Sequence, residues 1–190
     1  MFLYSFFIAC LSILLSADEY YQNVIKTAKD FGLNKEDIKD SVYYESSNLK
    51  SIGFDIYKRE QFLDIQAADA FYKMKEAALK DSIKLEFVSA FRSFEYQKQI
   101  INRKLKKGYS IDFILNENTL PGFSEHHTGN AIDFISSDNN YKLNQDFEKS
   151  KEFKWLMKNA SNYEFYLSYP KNNNRGIKYE PWHWIYKKND

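Results

Sequence analysis

Apolar side chains recur at helical spacing between Asp18 and Phe31, at Tyr20, Tyr21, Val24, Ile25 and Ala28, and Gly32 ends the run. The longest such pattern spans Glu60 to Lys80. There Phe62, Ile65, Ala68, Ala70, Phe71, Met74, Ala77 and Ala78 make a broad apolar stripe that predicts the main core helix. The stretch before it, up to Tyr57, predicts loops and short strands. At Lys84 the period changes. Lys84 to Phe91 alternates polar and apolar at its start and is rich in β-favouring residues, which predicts a strand running into Arg92. Ser93 is placed to cap a helix from Phe94 to about Lys107, stopped by Gly108. Beyond it the pattern predicts a turn at Pro121-Gly122, a strand over Asn130 to Ile135, a helix over Asp146 to Asn159 and a strand over Tyr163 to Tyr169. A turn cluster, Asn172-Asn173-Asn174-Arg175-Gly176, then leads to a last strand through Trp182 to Tyr186.

A chain of 190 residues, 44% hydrophobic and 28% charged, suits one globular domain with a real core. Its 27 basic and 26 acidic side chains nearly cancel, so net charge gives no reason to expect nucleic acid as a partner. With 15 Tyr and 16 Phe against 6 Gly and 3 Pro, a disordered reading is excluded on composition. Phe2 to Leu15 is an apolar run of signal-peptide length, followed by the small residues Ser16-Ala17 and then Asp18-Glu19. Residues 1–17 are therefore read as a signal peptide or a signal anchor, residues 18–190 as the working domain, and the protein as exported to the cell envelope. Cys10, the only cysteine, lies inside that run, so no disulfide framework is expected.

All three histidines fall in two short segments, Ser124-Glu125-His126-His127-Thr128-Gly129-Asn130-Ala131-Ile132-Asp133 and Glu180-Pro181-Trp182-His183. In a strand, even spacing puts Ala131 and Asp133 on one face and Asn130, Ile132 and Phe134 on the other. Asp133 can thus face a cleft while its neighbours fill the core, and Gly129 lets the chain turn tightly so that His126 returns to it. His126, Asp133 and His183 are the expected ligands of one zinc ion, which takes nitrogen and oxygen donors and keeps a fourth position for water. Glu180, near the metal but not on it, is the expected base for that water. Adjacent imidazoles in an extended loop point apart, so His127 is expected to support the site or lie on the surface. Arg92, at a strand-to-helix junction, is expected to polarise a scissile carbonyl or clamp a terminal carboxylate, with the Gln97 amide one helical turn on and Ser124 available to hydrogen-bond substrate.

Phe91-Arg92-Ser93 with a following Gln97, Ser-x-His-x-x-Gly-x-Ala-x-Asp at Ser124 to Asp133, and Glu180-Pro181-Trp182-His183 occur in one order, and matches run from about Gly53 to Tyr186. The chain resembles, on these motifs, the VanY-type D-alanyl-D-alanine carboxypeptidases, a family of zinc peptidases. The resemblance implies an α+β fold with a small central antiparallel sheet flanked by helices, of the Hedgehog/DD-peptidase type. It implies zinc on His126, Asp133 and His183, Glu180 as catalytic base, and Arg92, Gln97 and Ser124 on the substrate, with Tyr169 lining the same pocket. The implied reaction is removal of the C-terminal D-alanine from peptidoglycan stem peptides, by a protein expected to be monomeric. Three positions depart from the family pattern. Ile185 stands where an Arg is usual, Arg175-Gly176 where Thr-Gly is usual, and His127 where Gln is common.

Within the family the scissile bond is either D-Ala-D-Ala of a pentapeptide or the bond from a diamino acid to D-Ala of a tetrapeptide, and endopeptidases share the ligand pattern. A serine penicillin-binding enzyme is suggested only by Ser47-x-x-Lys50 and Ser137-Asp138-Asn139. Ser168-x-x-Lys171 fits the first of these equally well, and no Lys-Thr-Gly or Lys-Ser-Gly occurs. A wall-binding module that keeps zinc as a structural clip would have no use for Glu180.

Overall fold

The computed structural model describes residues 17–34, 42–173 and 177–188, so the apolar run Phe2 to Leu15 and the departure at Arg175-Gly176 lie outside the described residues. Among the described residues no helix is long and apolar enough to cross a membrane. The chain divides into two compact units.

One unit holds the described part of residues 1–44 together with Phe94–Ser124. Helix α1 covers residues 17–30 and stops where Gly32 takes a left-handed backbone. Within the second stretch lie α3, Phe94–Lys106, and the short α4, Ile111–Leu115, which the apolar pattern does not predict and which begins where the Ser110 hydroxyl accepts the Phe113 N–H. Val24, Phe94 and Phe123 form the centre of this unit, with Tyr20, Val42 and Leu120 packed around them.

The larger unit, Glu45–Ser93 with the residues from Glu125 onward, is built on a sheet. It opens with an antiparallel hairpin, β1 (Leu49–Phe54) and β2 (Glu60–Asp64), followed directly by α2 (Ile65–Lys80). The helix expected from Glu60 is therefore corrected: its first five residues are strand. Phe62 and Leu63 satisfy either period. Pairing with Ser51 and Lys50 decides for strand, and the Asp64 carboxylate then caps the helix by accepting the Gln66 N–H.

A four-stranded antiparallel sheet follows, in the order β3-β4-β6-β5, with β3 at Glu86–Ser89, β4 at Ala131–Ile135, β5 at Phe165–Leu167 and β6 at His183–Tyr186. The helix expected over Asp146 to Asn159 is broken. Gln145–Lys149 is a 3-10 turn, Ser150 is extended, and α5 begins at Lys151 because the Ser150 hydroxyl accepts the Phe153 N–H. Helices α2 and α5 pack on one face of the sheet around Phe71, Phe134, Phe147, Phe165, Leu156 and Trp184. Ile132 and Phe134 of β4 and Trp184 and Tyr186 of β6 belong to this core. The residues between them in each strand, Asp133 and Ile185, are buried on the other face, as strand alternation requires.

Candidate active site

In the β4–β6 ladder Asp133 stands directly opposite His183. Direct partners in an antiparallel pair project side by side. The His183 Nδ1 accordingly lies 2.8 Å from Asp133 Oδ1. The third group arrives from a 3-10 turn, Glu125–Thr128, just before β4, which places His126 Nε2 3.1 Å from Asp133 Oδ2.

Backbone hydrogen bonds fix that turn. The carbonyls of His126, His127 and Gly129 accept the N–H groups of Arg92, Ser46 and Asp64, at 3.1, 2.9 and 2.8 Å. Gly129 carries the close approach. Its φ is +69°, and a Cβ there would lie 2.7 Å from the Asp64 nitrogen. The expected tight turn between His126 and Asp133 is thus present, and its cause is contact with the hairpin as well as backbone handedness.

His126, Asp133 and His183 offer ligand atoms that all lie within 4.8 Å of one another, and all three residues are buried. They form the one such group among the described residues. Two imidazole nitrogens and a carboxylate oxygen are the set a catalytic zinc takes from a protein. The outward nitrogens fit as well. His126 Nδ1–H donates to the Ala90 carbonyl at 2.6 Å, which leaves Nε2 unprotonated toward Asp133. His183 Nε2 lies 3.0 Å from Glu125 Oε2, which leaves Nδ1 toward Asp133. The residues fit one zinc ion.

The electrostatics agree with a cation site. Burial holds His126 below the usual imidazole range, against the pull of Asp133. At His183 burial acts the same way, but hydrogen bonds to Asp133 and Glu125 overcome it and push the ring up to about 10. Burial also opposes charge on Asp133, yet the charges and hydrogen bonds of His126 and His183 hold its carboxyl well below the usual carboxylate range. In the metal-free cluster the positive charge is the proton held on His183 between Asp133 and Glu125, and a metal ion bound there would displace the proton on Nδ1.

Residues 60–189 match the VanY family, D-alanyl-D-alanine carboxypeptidases. The chain belongs to that family. It is 35% identical over 157 residues to YodJ of Bacillus subtilis (strain 168), a protein named for carboxypeptidase activity. That alignment covers 75% of this chain and 54% of YodJ. The D-alanyl-D-alanine carboxypeptidase of Enterococcus faecium is 26% identical over 174 residues, covering 89% of this chain and 52% of that protein. The chain thus spans about half the length of these two relatives. Among solved structures, that of the LdcB LD-carboxypeptidase is similar at a TM-score of 0.66 and 35% identity, covering 75% of this chain and 69% of that one. The D,D-dipeptidase VanXYg, solved with a D-Ala-D-Ala phosphinate analogue, is similar at a TM-score of 0.59 and 28% identity, covering 75% of this chain and 57% of that one. The VanY-type α+β fold and its zinc triad are present here.

Around the triad of this VanY-family chain lie Arg92 and Glu180, both singled out from sequence. Arg92 Nη2 approaches Asp133 Oδ2 at 3.8 Å and donates to Ser89 Oγ at 2.9 Å. Glu180 is anchored on both sides of the chain: its N–H donates to the Tyr169 carbonyl, and its own carbonyl accepts the His183 N–H. Burial pushes the Glu180 carboxyl up to about 7, with His183 and Arg92 pulling down and Asp133 and Glu125 adding to the rise. Gln97 and Ser124 belong to the other unit. Gln97 is buried in α3 and donates to the Thr119 carbonyl at 2.6 Å, while Ser124 is buried at that unit's last position.

His127 is fully buried and supports the site. Its Nδ1–H donates to the Arg92 carbonyl at 2.5 Å, and burial lowers its pKa to about 4, so it stays neutral. Tyr169 stacks on the His183 ring, 4.8 Å between centroids at 22°. Ile185, two positions past His183 in β6, is buried opposite Ala131. The residue that sequence reading missed is Glu125, buried with its carboxylate on His183 and on Ser168. No spacing rule points to it, because its partner lies 58 positions away.

Proposed function

We propose that this chain is a zinc-dependent carboxypeptidase that removes the C-terminal D-alanine from peptidoglycan stem peptides, working outside the cytoplasmic membrane with residues 18–190 as its domain. The observation that carries the reading is a buried His126–Asp133–His183 group with the carboxyl of Glu180, raised to about 7, in the same unit. A zinc ion held by His126, Asp133 and His183 would supply a Lewis acid for the scissile carbonyl and would lower the pKa of a water to about 7. Glu180 takes the proton from the attacking water and delivers it to the leaving amine, and a pKa near working pH suits one group to both tasks. Arg92, steadied by Ser89, supplies positive charge where the carbonyl oxygen or the terminal carboxylate gathers negative charge. Gln97 and Ser124 are read as substrate contacts from the family motif.

Two substrates fit this chemistry, a pentapeptide ending in D-Ala-D-Ala and a tetrapeptide ending in a single D-Ala. The first follows from the family. The second is favoured by the 35% identity to an LD-carboxypeptidase structure. Mass spectrometry of tetrapeptide and pentapeptide muropeptides incubated with the protein separates the two, with free D-alanine expected from one of them. Chelator should abolish release and zinc restore it. Glu180→Ala should keep the metal and lose turnover by a factor of at least about 100. Release that persists in chelator and stops with a β-lactam would overturn the metal reading in favour of a serine enzyme.

A further inference from the structure

We infer that Glu125, held by Ser168, is a positioning residue that selects which nitrogen of His183 meets the metal. The inference rests on the zinc reading of the triad. The His183 ring is held on three sides: Asp133 Oδ1 lies 2.8 Å from Nδ1, Glu125 Oε2 lies 3.0 Å from Nε2, and the Tyr169 ring stacks on its face. Glu125 is itself 2% exposed, and the same oxygen accepts the Ser168 hydroxyl at 2.6 Å. Ser168 is tied to β6 by its N–H, which donates to the His183 carbonyl. The carboxylate is therefore fixed from the strand that carries the ligand, although it enters from the turn that carries His126.

A carboxylate offers only acceptors, so Nε2 keeps its proton toward Glu125 and the proton a metal ion displaces is the one on Nδ1, beside Asp133. The two histidine ligands consequently use opposite nitrogens. His126 gives Nε2 because Ala90 takes its Nδ1–H, and His183 gives Nδ1 because Glu125 takes its Nε2–H. Ring rotation or a tautomer change at His183 would place a proton where the ion belongs. A glutamine at position 125 has the same shape but adds a donor. It can turn its NH2 toward Nε2, which favours the Nδ1–H tautomer and works against metal binding.

The test is zinc affinity, measured by competition with a chromophoric chelator, on the full chain and on Glu125→Gln, Glu125→Ala and Ser168→Ala. Expected losses are about 10-fold or more for Glu125→Gln, about 100-fold for Glu125→Ala and a smaller loss for Ser168→Ala. Nitrogen-15 NMR of the zinc-loaded imidazoles supplies a readout that a general packing role would not move. The wild type should show one ring metallated at Nδ1 with a protected Nε2–H, and Glu125→Gln should lose that protection. Circular dichroism of the metal-free variants identifies any that fail to fold, and Ser168→Ala, which leaves the carboxylate in place, then carries the comparison. Wild-type zinc affinity and an unchanged ring signature in a folded Glu125→Gln would overturn the inference. A wild type that binds no zinc would instead overturn the metal reading beneath it.

Discussion

At Glu180 the burial that tunes the carboxyl for chemistry costs the folded protein stability. Its carboxyl loses solvent and gains nearby negative charge, which moves it from 4.5 to about 7 in the folded protein. Between those two values the folded chain binds more protons than the unfolded one, so the stability of the metal-free protein should fall as pH rises through that window and stay lower above it. The penalty is on the order of 3 kcal/mol above pH 7. Glu180→Gln removes the ionisation. Its melting temperature should exceed that of metal-free wild type at pH 8 and approach it at pH 5; parallel pH profiles for the two proteins would refute this. At this scale the three ligands were legible in sequence, because every histidine falls in two patterned segments and β alternation fixes which way Asp133 faces. Glu125 was not, because its role is set by a ring that only folding brings near.

Among the elements, the turn between His126 and β4 shows how a ligand is aimed by packing rather than by its own geometry. Adding one methyl at Gly129 costs twice, once for positive φ in a residue with a Cβ and once for the collision with the Asp64 nitrogen. Gly129→Ala should lose more than about 2 kcal/mol of stability and weaken zinc binding. Gly108→Ala isolates the first effect, since Gly108 has φ +86° but open space around it. It should cost about 1 kcal/mol and leave zinc affinity unchanged. If both variants bind zinc like wild type, the turn does not aim His126. The same reasoning explains why the boundary at Ile65 escaped the sequence. An apolar stripe from Glu60 to Lys80 fits a helix, and what makes its first five residues a strand is a partner at Leu49–Phe54 that local periodicity does not contain. The break at Ser150 has a local cause, a serine capping α5, within a pattern that otherwise reads as continuous.

For the molecule as a whole, a buried three-ligand site couples metal to folding. Any ion that binds only the folded chain stabilises it by mass action, about 2.7 kcal/mol at a free concentration 100 times the dissociation constant. For a chain of this size that corresponds to a rise in melting temperature of roughly 5–10 °C. The rise should vanish in His183→Ala, and a variant that kept it would show that the stabilising ion sits elsewhere. The α+β class came from the family resemblance carried by the motifs, and the mixture of helix and strand periods agrees with it. The strand order was not, since β3-β4-β6-β5 depends on which hydrophobic faces find each other.

That order bears on synthesis. Of the four strands, β6 emerges from the ribosome after the other three yet takes an interior place, between β4 and β5. Until residues 183–186 are available, β5 has no neighbour and His126 and Asp133 wait for their companion. Before that point a growing chain holds only two of the three ligands. The ligand set is complete only once translation has passed the final motif.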